Sequence, residues 1–142
     1  MPNHFHILIK QETDGGITQF MKKLGTGYAM YFNIKYQRQG ALFGGPFKSK
    51  LIGTDDSYMR HLFGYIHLNP LDIKFSNWEK NINRPTKEMK TLLESYPYSS
   101  YKDYLGKGRV ESSLLNTGAF PEYFSGKYSL KDFVESYFQL TI

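Results

Sequence analysis

The sequence predicts a single domain of mixed α and β structure, and three observations support this. Residues 3–10, "NHFHILIK", alternate in the manner of a strand and are rich in β-branched and aromatic residues. Residues 17–36 and 55–69 repeat their apolar positions every three to four residues, which is the spacing of an amphipathic helix. The chain has 142 residues, of which 40% are hydrophobic and 22% charged, a composition typical of one globular domain.

The other elements are predicted from local patterns. The run "GALFGGPFKSKLI" (40–52) has two short β-like segments around Gly-Gly-Pro, so we expect a hairpin or a kinked strand there. Pro70 is expected to end the helix over 55–69. Further helices are expected within 85–95 and 129–138, and no repeat or domain linker is visible.

Charge and composition restrict the class of partner. The net charge is +5, and the chain has 12 Tyr and 11 Phe. These values fit a polyanionic partner with bases stacked on rings, and they fit equally a ring-packed core with solvated lysines. There is no cysteine, no apolar run near the ~20 residues of a membrane span, and no signal-peptide pattern. We therefore expect a soluble intracellular protein.

Two histidines, His4 and His6, lie one residue apart in the first predicted strand. On a strand they point to the same side, about 7 Å apart, and their imidazoles can bind one metal ion. Such a pair is also common on ordinary protein surfaces, and a metal site needs a third protein ligand. The residues alone leave both interpretations open.

Tyr65 and Asn69, four residues apart in "YIHLN", project from one face of the helix predicted over 55–69. A phenol can attack phosphorus, and an amide oxygen can complete a His-His-Asn shell around an ion that polarises phosphate. In the ordinary alternative Tyr65 packs against Leu62 and Ile66, and Asn69 is only the residue before a proline.

The same helix has other polar residues that we place outside the site. His67 falls on a different face from Tyr65, and His61 is expected to be exposed or to make a local hydrogen bond. Thr54 is the expected N-cap. The acidic pair after it, Asp55 and Asp56, is interpreted as a partner of the helix dipole rather than as a catalytic dyad.

Four segments in order resemble the single-tyrosine transposases with a His-hydrophobic-His motif: "MPNHFHILI", "ITQFMKKLGTGYAMYFNIKYQRQGALF", "YIHLNP" and "YPYSSYKDYLG". The chain is most similar to the REP-associated tyrosine transposases, relatives of the insertion-sequence-200 type. The resemblance covers residues 1–106 and implies a catalytic domain there, with 107–142 as a helical extension. It implies a ferredoxin-like α+β fold, an antiparallel sheet with helices on one face and the histidine pair on a central strand.

The resemblance also implies a role for each site residue. His4, His6 and Asn69 are expected to bind Mg²⁺ or Mn²⁺. Tyr65 is expected to cleave single-stranded DNA, leaving a 5′-phosphotyrosine link, which keeps the bond energy for rejoining, and a free 3′-hydroxyl. The implied partners are strands with imperfect hairpins and a second copy of the chain, and the implied location is the cytoplasm. The residues expected to hold phosphates are Lys22, Lys23, Lys48 and Lys50.

The chain departs from the family pattern in two places. Members normally carry a strand and a helix before the histidine strand, and here the chain starts at that strand. We therefore expect a sheet without its neighbour, as in a shortened gene product, a misassigned start codon or a domain completed by another chain. Pro46 stands where the family usually has a basic residue, which removes one candidate contact with the DNA backbone.

Two other functions stay open beside a metal-dependent transposase. The first is a catalytically silent remnant that binds DNA but does not cleave it. The second is a phosphodiesterase that uses activated water, against which stands the lack of an acidic general base near the motifs. Three aromatic residues are candidates for base stacking or for core packing: Tyr31, Tyr36 and Phe43.

Overall fold

Helices and turns make up the part of the chain that the structure, a computed structural model, describes: residues 3–53, 55–78, 86–119 and 132–134. The chain divides into two units. One consists of residues 1–6 and 53–142, and the other of residues 7–52. The division at residue 106, which the family resemblance implies, stays a prediction.

The unit of residues 7–52 is built on helix α1 (Gly16–Lys35), which confirms the helix predicted over 17–36. Gly15 precedes it with a φ of 69°, a left-handed conformation that glycine adopts without steric cost. After the helix, the Asn33 amide nitrogen donates to the Gly40 carbonyl oxygen at 2.9 Å. This turn brings the Phe43 ring to 6.2 Å from the Tyr28 ring.

Helix α2 (Asp56–Leu68) is the first helix of the unit formed by residues 1–6 and 53–142, and it confirms the helix predicted over 55–69. Its N-cap is Asp55, whose carboxylate accepts from the backbone N–H groups of Ser57 and Tyr58. These bonds lower the pKa of Asp55. Thr54 was the expected cap, but the structure has Asp55 in the capping position, so that expectation was wrong. Thr54 itself lies outside the described residues.

After α2 the chain tightens into a 3₁₀ turn, Asn69–Ile73, with Pro70 near its start. Pro70 therefore ends the α-helix as predicted. Helix α3 (Lys87–Ser95) confirms the helix expected within 85–95, and the Thr86 hydroxyl caps it by accepting from the Met89 N–H. A short helix α4 (Tyr101–Tyr104) follows, then 3₁₀ turns at Val110–Leu114 and Thr117–Ala119. Of the helix expected over 129–138, only 132–134 is described, and it is helical.

The described core lies in this unit, where α2 and α3 pack on the 3₁₀ turn after α2. In this core the Trp78 indole N–H donates to the Asp72 carboxylate at 3.0 Å, so the ring is buried and its polar group has a hydrogen-bond partner. Within the described ranges, no helix is long and apolar enough to cross a membrane. The buried apolar side chains are Phe63, Leu68, Leu71, Trp78, Met89, Leu93, Tyr101 and Val134.

Arg109 fastens the segment between α3 and α4. Its guanidinium donates to the carbonyl oxygens of Pro97 and Ser99, each at 2.7 Å, and to both oxygens of Asp103. The Ser112 hydroxyl donates to the same carboxylate. The hydrogen bond from Arg109 is the main reason why the pKa of Asp103 is lowered. Bidentate pairing with a largely buried carboxylate fixes the geometry of this turn.

The predicted antiparallel sheet is the main error. No strand or sheet occurs in the described part of the chain, so the ferredoxin-like α+β fold was wrong. Residues 3–10 and 40–52 are irregular or bent instead. A strand exists only when another segment satisfies its backbone groups, and no described segment pairs with either run. The two glycines and the proline in "GGP" favour bends over the regular hydrogen-bonded pairing of strands.

His67 is the buried titratable group of α2, with 3% of its surface exposed. Its Nδ1 lies 2.8 Å from the Phe63 carbonyl oxygen, and its Nε2 lies 2.8 Å from the Ser100 hydroxyl. A carbonyl oxygen can only accept, so Nδ1 donates and Nε2 accepts from Ser100. Burial lowers the pKa of His67 to about 4, so the ring is neutral near neutral pH.

This lowered pKa predicts acid lability. The unfolded chain takes up a proton near the ordinary histidine pKa of 6.5, whereas folded His67 does so only near pH 4. The stabilisation is therefore full above pH 6.5 and is lost as the pH falls towards 4, by about 3 kcal/mol in total. Urea unfolding between neutral pH and pH 4.5 should show this decline, and His67→Gln should flatten it. An unchanged pH slope in His67→Gln would contradict the assignment.

Candidate metal and nucleophile site

The two N-terminal histidines lie together even though they are not on a strand. Their ring centroids are 5.1 Å apart with the planes perpendicular. Two imidazoles on one ion have centroids at most about 6.5 Å apart, given metal–nitrogen bonds near 2.1 Å. The pair is therefore close enough to share an ion.

Asn3 orients the first of these rings. The Asn3 side-chain oxygen lies 2.8 Å from Nδ1 of His4, so that nitrogen donates and Nε2 keeps its lone pair. Hydrogen bonds of this kind commonly fix the tautomer of a metal-binding histidine. For His6, partial burial and then the neighbouring His4 lower the pKa, which favours the neutral ring that a metal requires.

Tyr65 adjoins the histidine pair. Its ring centroid is 5.5 Å from that of His6 in an edge-to-face arrangement. The side chain is 37% exposed. Within the described residues its hydroxyl has no hydrogen-bond partner, so the oxygen is accessible to an incoming group.

Asn69 is buried and unsatisfied. Its exposed fraction is 3%, and within the described part of the chain neither the oxygen nor the nitrogen of its amide has a hydrogen-bond partner. Its backbone is helical, and its N–H donates to the Tyr65 carbonyl oxygen, so the two side chains lie one turn apart on the same side of α2. Burying an amide without partners is unfavourable by about 1–3 kcal/mol, so a native structure is expected to supply a missing partner.

The side chains of His4, His6 and Asn69 are chemically suited to bind a metal ion. The structure brings His4, His6 and Tyr65 into successive ring contacts, and the helix register adds Asn69 on the side of Tyr65. The orphaned amide oxygen is a suitable ligand for Mg²⁺ or Mn²⁺, and the imidazoles favour Mn²⁺ of the two. Among the described residues no group of three His, Cys, Asp or Glu side chains could hold a metal, so an ion at the histidine pair would require a ligand of another type.

The predicted phosphate-binding lysines all belong to the other unit and are exposed. Lys22 and Lys23 lie on α1, and Lys48 and Lys50 follow Phe43 in the irregular segment over residues 40–52. The candidate stacking rings Tyr31, Tyr36 and Phe43 are exposed by 55%, 55% and 41%, so they are not core residues within this unit.

The sequence interpretation missed two residues that organise the site. Asn3 was not considered, although an amide next to a histidine in "NHFH" is a local signal for a bond to the ring. Ser100 was missed because its partner, His67, is 33 residues away. The placement of His67 outside the site stays a prediction, and its ring is buried against Phe63 and Ser100. His61 is exposed, as expected. No family model, curated protein or solved structure matches the chain.

The unsatisfied Asn69 amide yields a prediction for the metal-free protein. Asn69→Leu should raise the free energy of unfolding by about 1–2 kcal/mol, because it replaces a buried unpaired amide with an apolar group of similar shape. The same variant should lose the stabilisation that Mn²⁺ gives the unmodified chain. Asn69→Asp, which keeps an oxygen ligand, should retain it.

Thermal unfolding with and without Mn²⁺ measures both effects. A less stable Asn69→Leu that still responds to Mn²⁺ would show that Asn69 is a structural residue rather than a ligand.

Proposed function

We propose that this protein is a metal-dependent DNA transposase that cleaves and rejoins single-stranded DNA through Tyr65. This is the function implied by the resemblance to the REP-associated tyrosine transposases. The substrate class is single-stranded DNA next to imperfect hairpins. The proposal includes a cytoplasmic location, where such a protein meets DNA, and a second copy of the chain as partner.

One observation carries the proposal. Asn69 is buried, and neither polar atom of its amide has a hydrogen-bond partner among the described residues. It follows Tyr65 by one helical turn, and the Tyr65 ring contacts His6, which in turn contacts His4. A purely structural cluster has no use for an unsatisfied amide, whereas a site that binds an ion supplies its missing partner. The accessible phenol beside it provides the nucleophile.

The chemical step exchanges one phosphodiester for another. The Tyr65 oxygen forms a bond to phosphorus, and the bond from phosphorus to the 3′-oxygen breaks. The phenol loses a proton and the leaving 3′-oxygen takes one up, so no proton is gained or lost overall. His4, His6 and Asn69 would hold a metal ion, which would supply charge stabilisation for the phosphate oxygens. Rejoining is the reverse attack by a 3′-hydroxyl on the phosphotyrosine.

The residues of this chain contribute position and selectivity to that step. Asn3 sets the tautomer of His4, so that a nitrogen lone pair remains for the ion. The edge-to-face contact with His6 restricts the Tyr65 ring. The exposed lysines within residues 7–52 are the proposed phosphate contacts, and the exposed rings of the same unit offer stacking surfaces for bases.

A covalent-capture experiment tests the nucleophile. The full chain is mixed with hairpin-flanked single-stranded DNA and Mn²⁺ and run on a denaturing gel beside Tyr65→Phe. We expect a protein–DNA adduct with the unmodified chain and none with Tyr65→Phe, because a phenyl ring cannot attack phosphorus. Tyr98→Phe, which removes an 86% exposed phenol in the same unit, should form the adduct normally.

The other outcomes separate the alternatives. Cleavage that persists in Tyr65→Phe would support hydrolysis by activated water. Salt-sensitive binding without any adduct would support the silent remnant. Neither binding nor adduct with any of these DNAs would contradict the DNA proposal as a whole.

Salt dependence tests the role of the four lysines. Replacing all four with alanine should reduce the slope of log binding constant against log salt concentration by about 3, since each contact with single-stranded DNA contributes about 0.7. A double alanine variant of Lys74 and Lys107, which pair with Glu88 and Glu94, is the matched control and should leave the slope unchanged. Equal slopes for the quadruple variant and the unmodified chain would exclude these lysines from the interface.

A further inference from the structure

His67 connects the end of α2 to the turn before α4. Both of its ring nitrogens are engaged, Nδ1 with the Phe63 carbonyl of its own helix and Nε2 with the Ser100 hydroxyl. The first bond fixes the ring on the helix, and the second reaches across to another element. The ring also packs between Phe63, at 4.2 Å between centroids, and Tyr104, at 5.4 Å.

Ser100 is held in place by bonds of its own element. It is the N-cap of α4, and its carbonyl accepts from the N–H of Asp103 at 3.0 Å. The preceding residue, Ser99, is fastened through its carbonyl to the Arg109 guanidinium at 2.7 Å. The hydroxyl that His67 contacts is therefore a rigid anchor and not part of a mobile surface turn.

The register of α2 places His67 between the two proposed functional residues of the helix. Tyr65 lies two residues before it and Asn69 two residues after it, and two residues of α-helix correspond to a rotation of about 200°. The anchored ring therefore projects from the side opposite to Tyr65 and Asn69. Because the backbone of the helix joins the two sides, holding His67 in place also sets the direction in which Tyr65 and Asn69 project.

We propose that His67, anchored by Ser100, is a positioning residue that holds Asn69 and Tyr65 in the orientation required for binding the ion and for attack on phosphorus. The inference rests on the proposed function. His67 touches neither the substrate nor the ion and acts through the backbone of α2. Its removal should therefore weaken the site without removing a ligand or the nucleophile.

Ser100→Ala tests the anchor, because it removes the bond between the two elements with almost no change in volume. We expect Mn²⁺ affinity, measured on the full chain from the electron paramagnetic resonance signal of free Mn²⁺, to fall about tenfold, the lower end of the range for groups that orient metal ligands. The rate of adduct formation should fall at limiting Mn²⁺ and recover at saturating Mn²⁺. Ser100→Thr, which keeps the hydroxyl, should restore both.

Ser99→Ala is the matched control for a merely structural effect. Its hydroxyl accepts from the Tyr101 N–H in the same turn and does not contact His67. All variants are measured well below their unfolding midpoints. Ser99→Ala should lower the midpoint without changing Mn²⁺ affinity. Equal Mn²⁺ affinity in Ser100→Ala and the unmodified chain would overturn the positioning role.

The two proposals fail in different ways in this experiment. If the unmodified chain binds Mn²⁺ but forms no adduct, the nucleophile is wrong, and weaker Mn²⁺ binding by Ser100→Ala still supports the positioning of Asn69. If the adduct forms and Ser100→Ala matches the unmodified chain throughout, the proposed function stands and the positioning role is wrong. If the unmodified chain binds no Mn²⁺, the ion site and the positioning role are both overturned.

Discussion

Two polar side chains are buried in the same low-dielectric interior at the end of α2, His67 in its last turn and Asn69 directly after it. Hydrogen bonding makes their situations opposite. His67 has a partner for each ring nitrogen, so its burial is compatible with a stable fold. Asn69 is equally buried, and no described residue is a hydrogen-bond partner for either of its amide atoms. The fold therefore places an unsatisfied polar side chain beside a hydrogen-bonded one. An unfavourable local arrangement of this kind is expected where a ligand completes the structure.

The satisfied side of this turn depends on a series of contacts that starts far along the chain. Arg109 fastens the backbone at Pro97 and Ser99, which fixes the turn that carries Ser100. Ser100 in turn holds His67. The first step holds the backbone of the turn and the second joins that turn to α2, so the position of the turn helps to fix the His67 ring on the helix.

The helices could be predicted from the sequence because their signals are local. The apolar spacing of α1 and the acidic cap region of α2 lie within a few residues of what they specify. The proximity of His4 to His6 was also predictable, since they are neighbours in the chain. That "NHFHILIK" forms no strand could not be predicted from its pattern, because strand formation requires a distant partner that the pattern does not name. The same limit hid the bond between His67 and Ser100.

The position of Arg109 in the chain has a consequence for folding during synthesis. The ribosome completes α2 about 40 residues before it adds Arg109, so the helix emerges with its His67 face unanchored. Its final turn can reach the native arrangement only after the segment through Arg109 has left the exit tunnel. The nascent chain therefore carries α2 with the His67 side of its last turn unanchored until that segment has emerged.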